Sequence, residues 1–390
     1  MYGVIGLVDI VIVRTSNSVV YDPRVNKIAG SLKERYSVTC LGWNRDAVSD
    51  EKIENYIVKL ELFNLSTSIW KPSLMRIFIR LIFFAPPYWI WLFIKLLSYR
   101  PKLVHACDLD SMPPCYLYKV LFRKKLIFDV FDRYAITFIP RKFKILHGII
   151  NFIEEFFSKR SNVLIVANGE DVLRSFQKKP SRCEILLNYP QDNIINEPKG
   201  LRKNDIFTIA FTGHIRRHRG LETLAQVICD MKDIQLLITG RTEDELLFNE
   251  IKNIQNVRYL GLVDDSSLLE IEKTSNIIVA FYDPIFFSGN MPLPNKIFEA
   301  MMCSTPVVTN VAREIVNETN CGLVVEYNNA KQIKEAIIAL RDNPQLCKKL
   351  GANGRKSFKQ KYNWSKMEQK LYKVYENLLP NDSKQSNIKF

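Results

Sequence analysis

Short apolar runs alternate along this chain with longer stretches whose apolar residues recur every three or four positions. In the first half the runs predict strands at Asp9–Val13, Ser37–Gly42, Tyr56–Leu62, Leu103–Ala106, Leu126–Asp129, Val163–Ala167 and Glu184–Leu187. In the second half they predict strands at Thr208–Phe211, Gln235–Thr239, Val257–Leu260, Ile277–Ala280, Val307–Thr309 and Leu323–Val325. Helical patterns lie between nearly all of them. Strand and helix alternating in this way are the sequence form of an α/β fold with parallel, doubly wound sheets.

The alternation is broken between about Asn188 and Asp205 by a polar, proline-containing stretch. It fits neither period and reads as a linker. The expected division is a first Rossmann-like domain over 1–190, a linker over 191–205 and a second domain over 206–362. A last amphipathic helix beginning at Trp364 would occupy 363–379, and 380–390 reads as a frayed tail. No short-period repeat is present. A cleft is expected between the two halves.

Two apolar stretches need a membrane reading. Residues 1–13 lack a basic leader region and a small-residue cleavage site, so they are expected to hold a first strand rather than a signal peptide. Met75–Arg100 has an uncharged core only from Leu81 to Ile94, and Pro86-Pro87 is expected to break it. Spanning a bilayer takes roughly 20 apolar residues. The flanking Arg76, Arg80, Lys95 and Arg100, with Tyr88, Trp89 and Trp91 inside, match a segment lying in the membrane interface. The competing reading is a buried helix pair of an α/β layer.

Composition changes this picture in one respect. Apolar content of 47% over 390 residues is ample for packed cores, but 55 Lys+Arg against 41 Asp+Glu leave a net charge of +14. A basic surface attracts phosphate, whether in nucleotide, nucleic acid or anionic lipid. No RNA-binding or helix-turn-helix signature accompanies the charge, so nucleic acid is not an expected partner. The eight cysteines include no CxxC pair and no metal signature. Those at Cys40, Cys107, Cys229 and Cys303 adjoin apolar runs and are expected to be reduced and mostly buried.

The chemistry concentrates in the second half. Strand Thr208–Phe211 is followed by Thr212-Gly-His-Ile-Arg-Arg-His-Arg-Gly220 and then a helical pattern. Gly213 permits a tight turn and Gly220 a close approach at the helix start. A cationic loop at a strand's carboxyl end, before a helix N-terminus, suits a diphosphate. His214 and His218 lack a third ligand for a metal. Further on, Pro294-Asn-Lys-Ile-Phe-Glu299 opens a short helix before the apolar strand Val307–Thr309. Phosphates at such an N-terminus and ribose hydroxyls on an acid one turn in are how α/β folds hold a nucleotide.

These blocks resemble the donor site of GT-B glycosyltransferases, in particular the retaining glycosyltransferase family 4. The resemblance covers most of the chain and is strongest from Thr208 to Val325. It implies two Rossmann-like domains facing a central cleft, the second one binding a nucleotide-sugar. Arg219 stands at the family's phosphate-binding lysine, and His214 at its arginine. Gly240, Arg241 and Leu260 follow strands near the nucleotide. Pro294, Asn295, Lys296 and Glu299 match the family's Pro-Asn-Lys-x-x-Glu form, with Glu299 on the ribose. The first of the family's two acids is replaced by Met291, and Ser304 stands where a glycine is usual.

In the first half, Asp22-Pro-Arg-Val25 is a recurring family segment in which Asp22 can cap a helix. His105-Ala-Cys-Asp-Leu-Asp110 matches an acid-rich turn facing the cleft, and Phe131 replaces a frequent histidine. The resemblance therefore implies Arg219, Lys296 and Asp108 as catalytic residues. It implies transfer with retention, no metal and no cofactor beyond the donor. Asp108-x-Asp110 also has the form of a metal-chelating pair in GT-A transferases, but the phosphate-type loops here lie in the second half. The expected acceptor is a lipid-linked sugar, lipid or glycan at the cytoplasmic face of an anionic membrane, in envelope polysaccharide or glycolipid assembly. A nucleotide-sugar epimerase of GT-B shape and a non-catalytic donor-binding relative are the alternatives.

Overall fold

Each apolar run forms a strand, and each strand pairs in parallel with its neighbours. The structure is a computed structural model describing residues 8–15, 19–44, 50–64, 85–139, 142–194, 206–286 and 293–379. The chain divides into two compact units. One runs to Asn188 and takes up the chain again from Met367; the other is Tyr189–Lys366. The linker expected at 191–205 lies mostly outside the described residues, as do Met291 and the first part of the 75–100 segment.

The first unit holds a seven-stranded sheet of order β3-β2-β1-β4-β5-β6-β7. Its strands are β1 Ile10–Arg14, β2 Val38–Asn44, β3 Lys59–Asn64, β4 Leu103–Cys107, β5 Lys125–Val130, β6 Val163–Val166 and β7 Cys183–Ile185. β1 is central, with Ile10 opposite both Val38 and Leu103. Helix α1 (Pro23–Leu32) follows β1, and α2 (Ala85–Tyr99), α3 (Met112–Phe122) and α4 (Lys144–Arg160) follow β3, β4 and β5. Crossovers are right-handed, so α2, α3 and α4, which all step the chain toward β7, share one face of the sheet. Tyr88, Leu92, Leu96 and Tyr99 of α2, Met112, Cys115 and Tyr118 of α3, and Phe157 of α4 pack there with Val11, Val104 and Phe128 in one core.

Pro86 and Pro87 do not break this helix but open it. They stand in its first turn, where a missing backbone N–H costs nothing. Trp89 and Trp91 are half-buried against their own unit. The Trp89 indole donates to the Asp110 carbonyl at 2.8 Å, and Trp91 packs on Phe63 and Tyr88. Among the described residues no helix is long and apolar enough to cross a membrane.

The second unit holds a six-stranded sheet of order β10-β9-β8-β11-β12-β13. Its strands are β8 Phe207–Thr212, β9 Ile234–Thr239, β10 Val257–Tyr259, β11 Ile277–Ala280, β12 Val307–Thr309 and β13 Gly322–Val324. The helices that matter for function are α5 (Leu221–Ile228), α6 (Asp265–Thr274) and α7 (Asn295–Met302). The last helix, α8 (Trp364–Leu378), starts in this unit and from Met367 belongs to the first. There the Tyr372 hydroxyl donates to the Ser31 carbonyl at 2.8 Å and Tyr375 is fully buried. All eight cysteines are free, and Cys229, expected inside, is exposed because it falls just past the end of α5.

Candidate functional site

The second sheet begins at its centre with β8, grows outward through β9 and β10, and then returns to place β11 on the other side of β8. The carboxyl ends of β8 and β11 are therefore a topological switch point, where the connecting loops diverge and leave room for a ligand. Gly213, at the end of β8, donates its N–H to the Thr239 carbonyl at 2.9 Å, and Gly240 donates to the Gly261 carbonyl at 3.0 Å. Gly240 has φ +138°, and a Cβ there would lie 1.9 Å from the Gly213 carbonyl oxygen. Gly240 is needed at this contact because the turns after adjacent strands touch backbone to backbone, and Gly213 supplies a positive φ of +147°.

Arg219 reaches across the switch point. Its Nε donates to the Phe281 carbonyl, just after β11, at 3.2 Å, and its guanidinium lies 4.0 Å from the Tyr282 ring centroid. The guanidinium also covers Gly213, 3.7 Å from where a Cβ would be. Among the described residues no carboxylate pairs with Arg219. Burial lowers its pKa, and the neighbouring Tyr282 only partly opposes this. A half-buried cation without an anion, fixed at a strand's carboxyl end, is a site lacking its counter-charge.

Lys296 and Glu299 lie one turn apart on α7, the helix opened by Pro294 and Asn295. Lys296 is held between two acids, with Nζ 2.5 Å from Glu299 Oε2 and 3.1 Å from Glu272 Oε1. Burial lowers its pKa, but Glu299 and Glu272 outweigh burial and raise it. Glu272 comes from α6, is buried, and also accepts from Thr212 Oγ1 at 2.8 Å. Burial, reinforced by Glu299 and opposed by Lys296, pushes Glu272 up to about 7. The Lys296 charge is thus already matched within the protein, while Arg219 keeps its own.

The other expected contacts separate. His214 is exposed and 2.5 Å from Glu243, and His218 stacks on Phe286 at 3.9 Å, so the two imidazoles serve different partners. Arg241 is exposed, and its carbonyl accepts from the Ile215 amide at 2.9 Å. The Leu260 amide is taken by the Ile238 carbonyl at 2.9 Å. Ser304 keeps the left-handed conformation of the usual glycine, φ +56°, just past the end of α7. Glu272, Thr212 and Tyr282 were not foreseen as site residues. Glu272 carries no motif, and nothing local marks an acid on an amphipathic helix as buried.

In the first unit the same topology puts a switch point between β1 and β4. Arg14, at the end of β1, bridges Asp108 and Asp22, the latter at 2.8 Å. Asp108 accepts in addition from the Phe131 amide at 2.8 Å and the Asp132 amide at 3.3 Å. Both its oxygens are engaged within the protein. Asp22 caps α1 as expected, accepting from the Arg24 and Val25 amides. Phe131 covers two guanidinium groups, those of Arg14 and Arg24, at 4.1 and 5.1 Å. Asp132 lies beside this network, and burial together with Asp108 raises its pKa to about 6.

Deeper in, His105, Cys107 and Asp129 converge within 4.8 Å. Arg24 holds both Asp129 oxygens, at 2.8 and 3.1 Å, and the His105 nitrogens face Asp129 and Tyr375. Asp129 and His105 are thus engaged within the protein, and Cys107 lies buried beside them.

Comparison with known proteins agrees with this geometry. The family model for glycosyl transferases group 1 matches residues 206–343. An uncharacterized glycosyltransferase of Methanocaldococcus jannaschii is 25% identical over 350 residues, covering 84% of this chain and 83% of that one. The phosphatidyl-myo-inositol mannosyltransferase of Mycobacterium leprae is 27% identical over 168 residues, 42% of this chain and 43% of that one. Among solved structures, Anabaena HepE in complex with UDP and glucose aligns with TM-score 0.70 at 12% identity, covering 95% of this chain and 100% of that one. The fold is α/β of GT-B type, two Rossmann-like parallel-sheet units.

Proposed function

We propose that this glycosyltransferase moves a sugar from a nucleoside-diphosphate donor to a lipid-linked or glycan acceptor, with retention of configuration and without a metal. The uncompensated Arg219 guanidinium at the β8–β11 switch point carries the reading. It supplies the positive charge that a departing diphosphate needs, fixed in place before the reaction begins. Glu299, one turn into α7, accepts hydrogen bonds from the donor ribose. Lys296 acts on Glu299 and Glu272, orienting the ribose acceptor rather than touching phosphate. The displacement runs on one face of the sugar, and the leaving phosphate oxygen takes the acceptor's proton. Asp108 positions the β4 and β5 loops of the acceptor unit through Arg14 and the Phe131 amide.

The acceptor assignment draws on the mannosyltransferase relative, whose name specifies a phosphatidylinositol. With such an acceptor the proposed location is the cytoplasm, peripheral at the inner membrane face, and the proposed role is envelope polysaccharide or glycolipid synthesis. The test is thermal unfolding against UDP, GDP, ADP, TDP and CMP with chelator present. A ligand at about 100 times its Kd adds about 2.7 kcal/mol. One nucleoside diphosphate should raise the midpoint, and Glu299→Ala should abolish most of that rise without lowering the ligand-free midpoint. No rise with any nucleotide removes the donor site. A rise that Glu299→Ala leaves intact removes the ribose assignment.

A further inference from the structure

Helix α2 is apolar apart from Ser98 and Lys95, the latter paired with Glu61 at 2.6 Å, a composition that belongs to helices covered on more than one side by protein or lipid. Its inner stripe, Tyr88, Leu92, Leu96 and Tyr99, is buried on the sheet. Its outer stripe, Ile90, Ile94 and Leu97 at spacings of four and three, faces solvent, with Ile90 63% exposed. The next two helices of the same layer repeat the arrangement. On α3 the outward residues are Leu117, Val120 and Leu121. On α4 they are Ile145, Ile149 and Phe152, with Ile145 82% and Phe152 62% exposed. Tyr116 packs edge-on against Phe156 and Phe157, so α3 and α4 are neighbours. Trp89 bonded to Asp110 ties α2 to the start of α3. The three stripes therefore lie side by side on one outer surface of the first unit, and exposed apolar residues gathered on one face mark an interaction site.

The charges on this layer are of one sign. α2 and α3 contain no Asp or Glu, and the two acids of α4, Glu154 and Glu155, are buried, with Glu155 2.7 Å from Arg133. Exposed cations frame the apolar face at the helix ends. They are Arg100 after α2, Arg123 and Lys125 after α3, and Lys144 and Lys159 on α4. Apolar residues in the centre, cations at the rim and no exposed acid on the three helices complement an anionic bilayer, whose headgroups meet the cations while its acyl region takes the Ile, Leu and Phe side chains.

We propose that the outer face of α2, α3 and α4 is a docking surface for an anionic lipid bilayer. It deepens the reading of a membrane-borne acceptor and rests on it. It also moves the contact away from Trp89 and Trp91, which the protein's own core holds, to exposed apolar residues that a side-chain change can reach without disturbing packing.

The experiment is flotation of the full chain with phosphatidylcholine vesicles and with phosphatidylcholine–phosphatidylglycerol vesicles. The variants are Ile145→Ser with Ile149→Ser and Phe152→Ser, and separately Lys144→Glu with Lys159→Glu. The unaltered protein should float with the anionic vesicles and not the neutral ones. The serine variant should partition at least about tenfold less, and the glutamate variant about fivefold less per cation. Both should keep the nucleotide-induced rise in unfolding temperature. If the protein ignores anionic vesicles, or the variants bind like the parent, the docking surface is wrong. A retained nucleotide response would then leave the donor reading standing. Concentration-dependent self-association that the serine variant abolishes, without vesicle binding, would make this face a protein interface and overturn the proposal.

Discussion

Replacing Arg219 with methionine separates what the guanidinium does for the fold from what it does for the ligand. In the folded chain Arg219 makes a hydrogen bond of 3.2 Å to a neutral carbonyl and lies 4.0 Å over Tyr282. Those contacts stabilise by about 1 kcal/mol and about 0.5–1 kcal/mol. Against them stands the cost of burying a cation that no described carboxylate neutralises, a burial that also lowers its pKa. Methionine fills similar volume and relieves the cost. Ligand-free stability by urea unfolding should therefore stay within about 1 kcal/mol of the parent, or rise. Donor affinity should fall, because charge-assisted bonds to phosphate contribute about 1.5–3 kcal/mol. Titration calorimetry with the nucleoside diphosphate that shifts unfolding most should show Kd weakened about 10- to 150-fold. Arg219→Lys keeps the charge but not the fork and should fall between. A methionine variant whose Kd stays within about threefold of the parent would refute the placement of the diphosphate. A large loss of ligand-free stability would show that the guanidinium is a structural element instead.

Further outcomes follow from the same geometry. Glu272 is held near pKa 7, above the ordinary 4.5, so the folded chain keeps this proton where the unfolded chain releases it. The associated stability is fully present below about pH 4.5 and is lost as pH rises through about 7; the urea midpoint should fall over that window, and Glu272→Gln should flatten the fall. Ser304→Gly should stabilise by about 1 kcal/mol in urea unfolding, because φ +56° strains a serine and not a glycine. Gly240→Ala should destabilise by at least about 2 kcal/mol, since its Cβ would meet the Gly213 carbonyl at 1.9 Å. The same change should weaken nucleotide binding by displacing the turn against which Arg219 lies.

All thirteen strands were legible, because a buried parallel strand is a contiguous apolar run and the signal lies wholly within a few residues. The helix cap at Asp22 and the N-terminus of α7 were legible for the same reason, being set by neighbours in sequence. Residue order alone thus determined an α/β chain of two parallel sheets with a cationic loop after β8 and an acid one turn into α7. It could not reveal charge pairing. Arg14 meets Asp108 across 94 residues, and Lys296 meets Glu272 across 24, from a different helix. Those meetings decide that Asp108 and Lys296 are internally matched, while among the described residues Arg219 has no carboxylate partner. Nor could amphipathic spacing say which core α8 joins, or that α2, mostly apolar, would leave Ile90, Ile94 and Leu97 exposed. Periodicity records what a residue is and how it faces its own helix. Which partner neutralises it, and which face stays open, depends on crossover handedness and strand order, and only the assembled sheets settle these.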